Sequence, residues 1–270
     1  MAVVIRGYFD DSREQGVCTV AGFVGFVDQW EDFEGWWPQL LATHGVPYLH
    51  MREMASPTGV YRKWHPPKEP YQEMANFFAD VAKVIGRTGI HGFGGIAREK
   101  DVERFNAEHG LSLRPYAMAA FGSLIALHTR HPREPVDLIF DHIEKVQEKL
   151  TRAKGYADSD AHYAGDFDQS RLIPLSKSCT FRDVLPLQAA DFLAWEWRKL
   201  HVDRAGWWDQ ANKRGDWDER WQDFEAWMER EKPRTRKSIM ALMERAQFTG
   251  FIWDYDRLCE AHRLRGGRWS

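Results

Sequence analysis

Cysteine is scarce in this chain: only Cys18, Cys179 and Cys259 occur among 270 residues. An odd, scattered set without Cys-x-x-Cys spacing excludes a disulfide framework. It reads as buried small hydrophobes in a reducing compartment. No disulfide is needed, since a chain of this length buries roughly three quarters of its unfolded surface. Long apolar runs are missing as well. Neither a leader-like apolar start nor a stretch of membrane-spanning length is present, so no membrane partner is expected and the expected location is cytoplasmic. Positive charge is not in excess: 37 Lys and Arg against 40 Asp and Glu give a formal net charge of −3. Nucleic-acid binding driven by global charge is thereby excluded, and a local patch or bound metal would have to supply the positive field. The chain contains no P-loop and no G-x-S-x-G elbow. Gly92, Gly94 and Gly95 lack the G-x-G-x-x-G spacing and predict close packing of a helix on a strand. No H-E-x-x-H or paired histidine spacing occurs, so zinc is not expected. The acid-rich stretch GYADSDAHYAGDFDQ lacks the Gly and Glu of a calcium loop.

What is present is a patterned α/β sequence. Residues 2–10 predict a strand and 18–27 its antiparallel neighbour, across a polar hairpin link from Asp11 to Gly16. Asp28 is placed to cap a helix reaching about His44, and a second helix is expected over 70–86. There follow a strand at 90–98, a buried helix at 113–130, a parallel strand in VDLIFD (136–141) and a polar helix at 143–154. A last strand in RLIPLS and a helix from Pro186 to Leu200 complete the order. Hairpin strands leading into βαβ units define an α/β, three-layer domain with a mixed five-stranded sheet. We assign residues 1–200 to this domain, with a helical insertion at about 28–89, and 201–270 to a Trp-rich helical C-terminal extension packed on it.

Four acids carry the chemistry. Asp10 and Asp11 close the run AVVIRGYFDDS, Asp141 closes VDLIFD, and Asp191 sits in LPLQAADFLAW. A carboxylate at the end of a core strand is costly to desolvate unless something compensates it. In open sheets ligands gather beyond the carboxyl ends of strands. If the first and fourth strands are neighbours, Asp10 and Asp141 meet there. On the helix from Pro186, the residues Leu187, Ala190, Leu193, Ala194 and Trp197 form the apolar face, and Asp191 falls at its edge beside Leu187 and Gln188. Three converging carboxylates suit Mg²⁺ or Mn²⁺ and phosphodiester chemistry. Singly, each acid has a plainer reading as a turn residue, a helix cap or an arginine partner. A haloacid-dehalogenase-type site wants Asp-x-Asp after the first strand; here Ser12 stands in the third place.

YFDDS, LHMREM, IFD and SKSCTFRDVLPLQAAD, in this order, resemble the landmarks of the domain of unknown function 3800 family over about residues 3–200. That family opens with a Tyr-x-Asp-Glu-Ser-Gly type motif, closes with Leu-Gln-x-Ala-Asp, and is placed among ribonuclease H-like folds. The resemblance implies an acidic core of Asp10, Asp141 and Asp191, with Lys177 and Gln188 beside it on the substrate side. It matches His50 to a family histidine, which would act as general base or place the attacking water. Its plainer reading is a histidine hydrogen-bonded in a loop. Asp11, an auxiliary catalytic candidate, stands where the family has Glu, and Arg13 where it has Gly.

The C-terminal region presents Trp217, Trp221, Phe224 and Trp227 at helical spacing. This amphipathic stripe suits packing on the main domain or on a second copy in a homodimer. The basic cluster that follows includes Arg234 and Arg236, expected to guide a phosphate backbone towards the acids. Two functions of different class follow. One is a metal-dependent nuclease acting on nucleic acid. The other is a non-catalytic binding or assembly protein that uses the C-terminal helical region as its interface.

Overall fold

The computed structural model describes residues 5–56, 58–65, 71–132, 134–140, 151–153, 155–156, 170–173, 175, 182–211, 241–266 and 269, with main chain alone at 71–72 and 203–211. Strands β1 (Ile5–Glu14) and β2 (Val17–Phe26) form an antiparallel ladder from Ile5↔Phe26 to Glu14↔Val17. The turn between them is only Gln15 and Gly16, at φ 51° and 74°. Two left-handed residues match the twist of a two-residue hairpin. The expected polar link from Asp11 is therefore mostly strand. β4 (Val136–Phe140) runs parallel to β1 through Phe9↔Phe140. From Asp10 onward most residues of β1 are exposed, which accounts for the polarity of the segment.

Residues 27–88 are largely helical, through α1 (Val27–Thr43), α2 (Met51–Met54), a 3-10 turn (Gly59–Trp64) and α3 (Tyr71–Thr88). In α1 the residues Trp30, Phe33 and Trp37 recur at three- and four-residue spacing and are all buried. They build one apolar layer with Tyr61, Trp64, Phe77 and Val81.

β3 (His91–Arg98) leads into α4 (Glu99–His109), which Gly110 ends in a left-handed cap at φ 64°. α5 (Pro115–Arg130) is buried from Ala117 through His128, as its all-round apolar sequence predicts. It lies so close on β3 that a Cβ on Gly95 would come within 2.0 Å of the Ala119 carbonyl oxygen. Gly95 thus serves helix packing, whereas Gly92 and Gly94 make room first for the Phe248 side chain, which precedes β6. β5 (Arg171–Ile173), α6 (Leu185–Ala211), β6 (Thr249–Trp253) and α7 (Tyr255–Leu264) complete the described elements.

The strands make one mixed sheet in the order β5-β4-β1-β2-β3-β6. β2 alone runs against the rest. The sheet has six strands where the sequence predicts five. The sixth, TGFIW, pairs in parallel with β3 from Phe93↔Thr249 to Ala97↔Trp253, in a region expected to be helical. Five residues are too short a run to separate strand from helix by periodicity alone.

Alternation along the strands feeds two cores. Tyr8, Phe23, Ile96 and Ile139 join the layer of α1, α3 and α6. Phe9, Val20, Phe93 and Leu138 join the layer of α4, α5 and α7. The architecture is therefore α/β, with helices on both faces of a mixed sheet. α6 runs unbroken through residue 200. Among the described residues no helix is long and apolar enough to cross a membrane.

Candidate functional site

Strand alternation decides which acids share a side. On β1 the side chains of Tyr8, Asp10, Ser12 and Glu14 face α6. Tyr8 meets Trp30 edge to face at 4.7 Å between ring centroids. Arg198 of α6, 3% exposed, donates from Nε to Ser12 Oγ at 2.8 Å and pairs through Nη1 with Glu14 Oε2 at 2.5 Å. Asp191, Trp195 and Arg198 are three and four residues apart and so line one side of α6. Asp10 and Asp191 consequently belong to the same layer. A main-chain N–H orients each carboxylate: Asp10 Oδ1 accepts from Asp11 N at 2.8 Å, and Asp191 Oδ2 from Met51 N at 2.7 Å. The helix-edge position predicted for Asp191 is the one observed, aimed at the start of α2.

Asp11 goes the other way. Its strand neighbours Phe9 and Arg13 face α4 and α5: Phe9 stacks on Phe140, and Arg13 Nε donates to Glu99 Oε1 at 2.5 Å. Burial, followed by the charges of Asp11 and Asp10, pushes the Tyr116 phenol well above its usual range. The Cys18 thiol, donating to Glu99 at 3.4 Å, is pushed up to about 12, first by burial and then by that carboxylate. Arg13, where the resembled family has Gly, is thus the partner of Glu99 on the face away from Asp191.

His50 caps α2 with extended backbone (φ −146°, ψ 111°) and precedes the Met51 N–H that Asp191 accepts. Its own N–H donates to Tyr61 Oη at 3.0 Å, and that hydroxyl donates to the Tyr48 carbonyl at 2.5 Å. Its Nδ1 lies 3.1 Å from Glu53 Oε1. Glu53 is held from two further sides, by Tyr48 Oη at 2.5 Å and by Arg182 Nη2 at 3.3 Å, while Arg182 also stacks over the Tyr48 ring at 4.2 Å. The Tyr48 hydrogen bond first, then those of His50 and Arg182, outweigh desolvation and hold the Glu53 carboxyl below its ordinary value. Tyr48, Glu53 and Arg182 were not singled out from the sequence. The signal was there in LHMREM, whose His50 and Glu53 stand three apart, the spacing that pairs side chains on one helical turn.

Gln188 is fully buried. Its Oε1 accepts from Trp37 Nε1 at 3.0 Å and Leu49 N at 2.9 Å, while Nε2 donates to the Arg182 carbonyl at 3.3 Å. The structure therefore makes it a tether joining α1, the segment before α2 and the approach to α6.

Asp141 follows Phe140 in the chain and lies outside the described residues, as do Lys177, Arg234, Arg236 and the tryptophan stripe from Trp217 to Trp227. Among the described residues no group of three His, Cys, Asp or Glu side chains is arranged to hold a metal ion. Asp10 and Asp191 are the two described members of the acidic trio. No family model, curated protein or solved structure matches the chain.

Proposed function

We propose that the chain is a ribonuclease H-like nuclease that hydrolyses phosphodiester bonds of nucleic acid at a Mg²⁺- or Mn²⁺-dependent site, with Asp10, Asp141 and Asp191 as the carboxylate ligands. The observation that carries this reading is the β1–β4 register. The described parallel ladder reaches Phe9↔Phe140, and the residue that follows each of these in sequence is an aspartate, Asp10 and Asp141. Sheet order supports it as well. A hairpin of β1 and β2, a third antiparallel strand, and β4 and β5 added in parallel beyond β1 form the arrangement implied by the family resemblance.

The donor set fits a hard divalent cation, because all three groups are carboxylates and none is sulfur or imidazole. Two of the three are oriented by main-chain N–H groups, as ligands usually are by their outer partners. When bound, such an ion supplies Lewis acidity and charge neutralisation at a phosphodiester. The chain's own residues do the rest. Asp10 and Asp191 fix the position of the acidic centre, and His50, one residue from the Asp191 contact, is placed as a proton acceptor. Lys177, Arg234 and Arg236 are proposed to contact phosphates.

The test is a cleavage panel of RNA, DNA and hybrid duplexes with Mg²⁺ or Mn²⁺, run on the wild type and on Asp141→Asn. Metal-dependent cleavage that Asp141→Asn abolishes is expected. Absence of cleavage of every substrate, together with no Mn²⁺ binding heat in the wild type, sinks the proposal.

A further inference from the structure

Glu53 is anchored from three sides, and one of its partners is His50. Its Oε1 takes the His50 Nδ1 contact and one Arg182 Nη2 contact, and its Oε2 takes the Tyr48 hydroxyl. Arg182 can only donate, and its Nη2 also donates to the Tyr48 hydroxyl oxygen at 3.0 Å, which leaves that hydroxyl's own proton for Glu53; the carboxylate is thus held in its accepting, ionised form. A group that only accepts requires a donor at His50 Nδ1. In the neutral imidazole, a proton on Nδ1 leaves Nε2 as the acceptor nitrogen.

Resting on the nuclease reading above, we propose that Glu53 is a positioning residue. It fixes His50 in the Nδ1–H tautomer and ring orientation, so that Nε2 is the atom that takes a proton from the attacking water. Tyr48 and Arg182 set Glu53 in turn. Two links join this unit to the acidic centre. The residue after His50 gives its N–H to Asp191, and Arg182 offers its carbonyl to Gln188, three residues before Asp191 on α6. The proton path balances simply. Water loses a proton to Nε2 as its oxygen bonds to phosphorus, the phosphorus–oxygen bond to the leaving nucleotide breaks, and that oxygen takes a proton from solvent; the ring becomes an imidazolium beside the Glu53 carboxylate, and Glu53 itself gains no proton.

Glu53→Ala removes the acceptor. Glu53→Gln keeps it, because Arg182 can only donate and therefore orients the amide oxygen towards itself and His50, with the amide nitrogen towards the Tyr48 hydroxyl. The measurement is the ¹⁵N spectrum of the neutral His50 ring, which distinguishes the two tautomers, combined with kcat and KM on the substrate that the cleavage panel identifies. The wild type and Glu53→Gln should show the Nδ1–H form, and Glu53→Ala a shift towards the Nε2–H form. With Glu53→Ala kcat should fall by about 10²-fold, the lower end of what a positioned base contributes, at nearly constant KM. Glu53→Gln should fall less. An unchanged tautomer in Glu53→Ala, or an unchanged kcat despite a changed tautomer, overturns the proposal. If Glu53→Ala does not fold, Glu53→Gln and Tyr48→Phe carry the comparison, and a wild-type ring in the Nε2–H form is by itself decisive against it. If the wild type cleaves nothing, the nuclease reading falls, and the tautomer comparison still decides whether Glu53 holds the ring.

Discussion

Asp10 and Asp11 are covalent neighbours on β1 whose side chains serve opposite faces of the sheet. Asp10 shares its face with Tyr8 and Ser12, towards α6; Asp11 shares its face with Phe9 and Arg13, towards α4 and α5. A period of two allows no other result while the strand stays regular, and β1 is regular through Glu14. The pair should therefore separate cleanly on mutation. Asp10→Asn is expected to lower metal-dependent cleavage by about 10²–10³-fold, as loss of one preorganised charge does. It should also remove most of the Mn²⁺ binding heat. Asp11→Asn should leave both close to wild type. Equal losses from the two variants would show that both carboxylates serve one centre and that β1 twists out of register at this point.

Gln188 should matter for stability before it matters for chemistry. Replacement by Leu leaves Trp37 Nε1 and Leu49 N without their acceptor in a fully buried place. Each orphaned donor costs about 1–3 kcal/mol, so a loss of roughly 2–6 kcal/mol is expected in urea unfolding. Any fall in activity should follow the fraction folded. A variant as stable as the wild type but unable to bind substrate would restore the substrate-contact role that its place in the closing motif implies.

The acidic site was partly legible because strand ends and helix faces are local properties. The run ending at Phe9 and the 100° spacing around Asp191 needed only a few residues each. Legibility failed where a non-local partner decided the outcome. Nothing in YFDDSRE shows that β2 stays paired with β1 as far as Glu14↔Val17, so a strand segment reads as a loop. TGFIW becomes a strand because β3 offers it an open edge. Gln188 reads as a substrate-side residue in its motif, and nothing local shows that Trp37, 151 residues away, donates to its oxygen. Glu53 was overlooked for the same reason, since Tyr48 and His50 are near in sequence but Arg182 is 129 residues distant.

Gly95→Ala tests the fit of α5 on the sheet. An added Cβ would meet main chain: the Ala119 oxygen at 2.0 Å and the Ser123 nitrogen at 2.5 Å. Backbone cannot yield as the tip of a side chain does, and Ser123 Oγ is already committed to the Val20 carbonyl at 2.6 Å. Overpacking of this kind costs typically 1–3 kcal/mol and occasionally more, and the upper end is expected here. The melting temperature and the urea midpoint should both fall. Gly16→Ala is the contrast: nothing lies within 4 Å of its added Cβ, and its cost arises from φ 74° alone. If Gly95→Ala were the milder of the two, α5 could not lie against β3 as described.

Glu99 provides a pH test whose sign follows from its surroundings. The hydrogen bond from Arg13 first, then that from Cys18, outweighs desolvation and lowers its carboxyl from the ordinary 4.5. A carboxyl whose folded pKa lies below its unfolded one stabilises the fold fully above the unfolded value, and that stability is lost as pH falls through the folded value. Glu99→Gln should therefore be less stable than the wild type at pH 7, with the gap closing progressively below about pH 4.5. Because the Arg13 side chain is 67% exposed, solvent screens the pair and the gap at neutral pH should not exceed about 1 kcal/mol. Urea unfolding of both proteins at pH 7, 5, 4 and 3 supplies the comparison. A gap that stays constant or widens on acidification would mean that Glu99 is not held ionised by Arg13, and that the contact across the α4 face is not formed in solution.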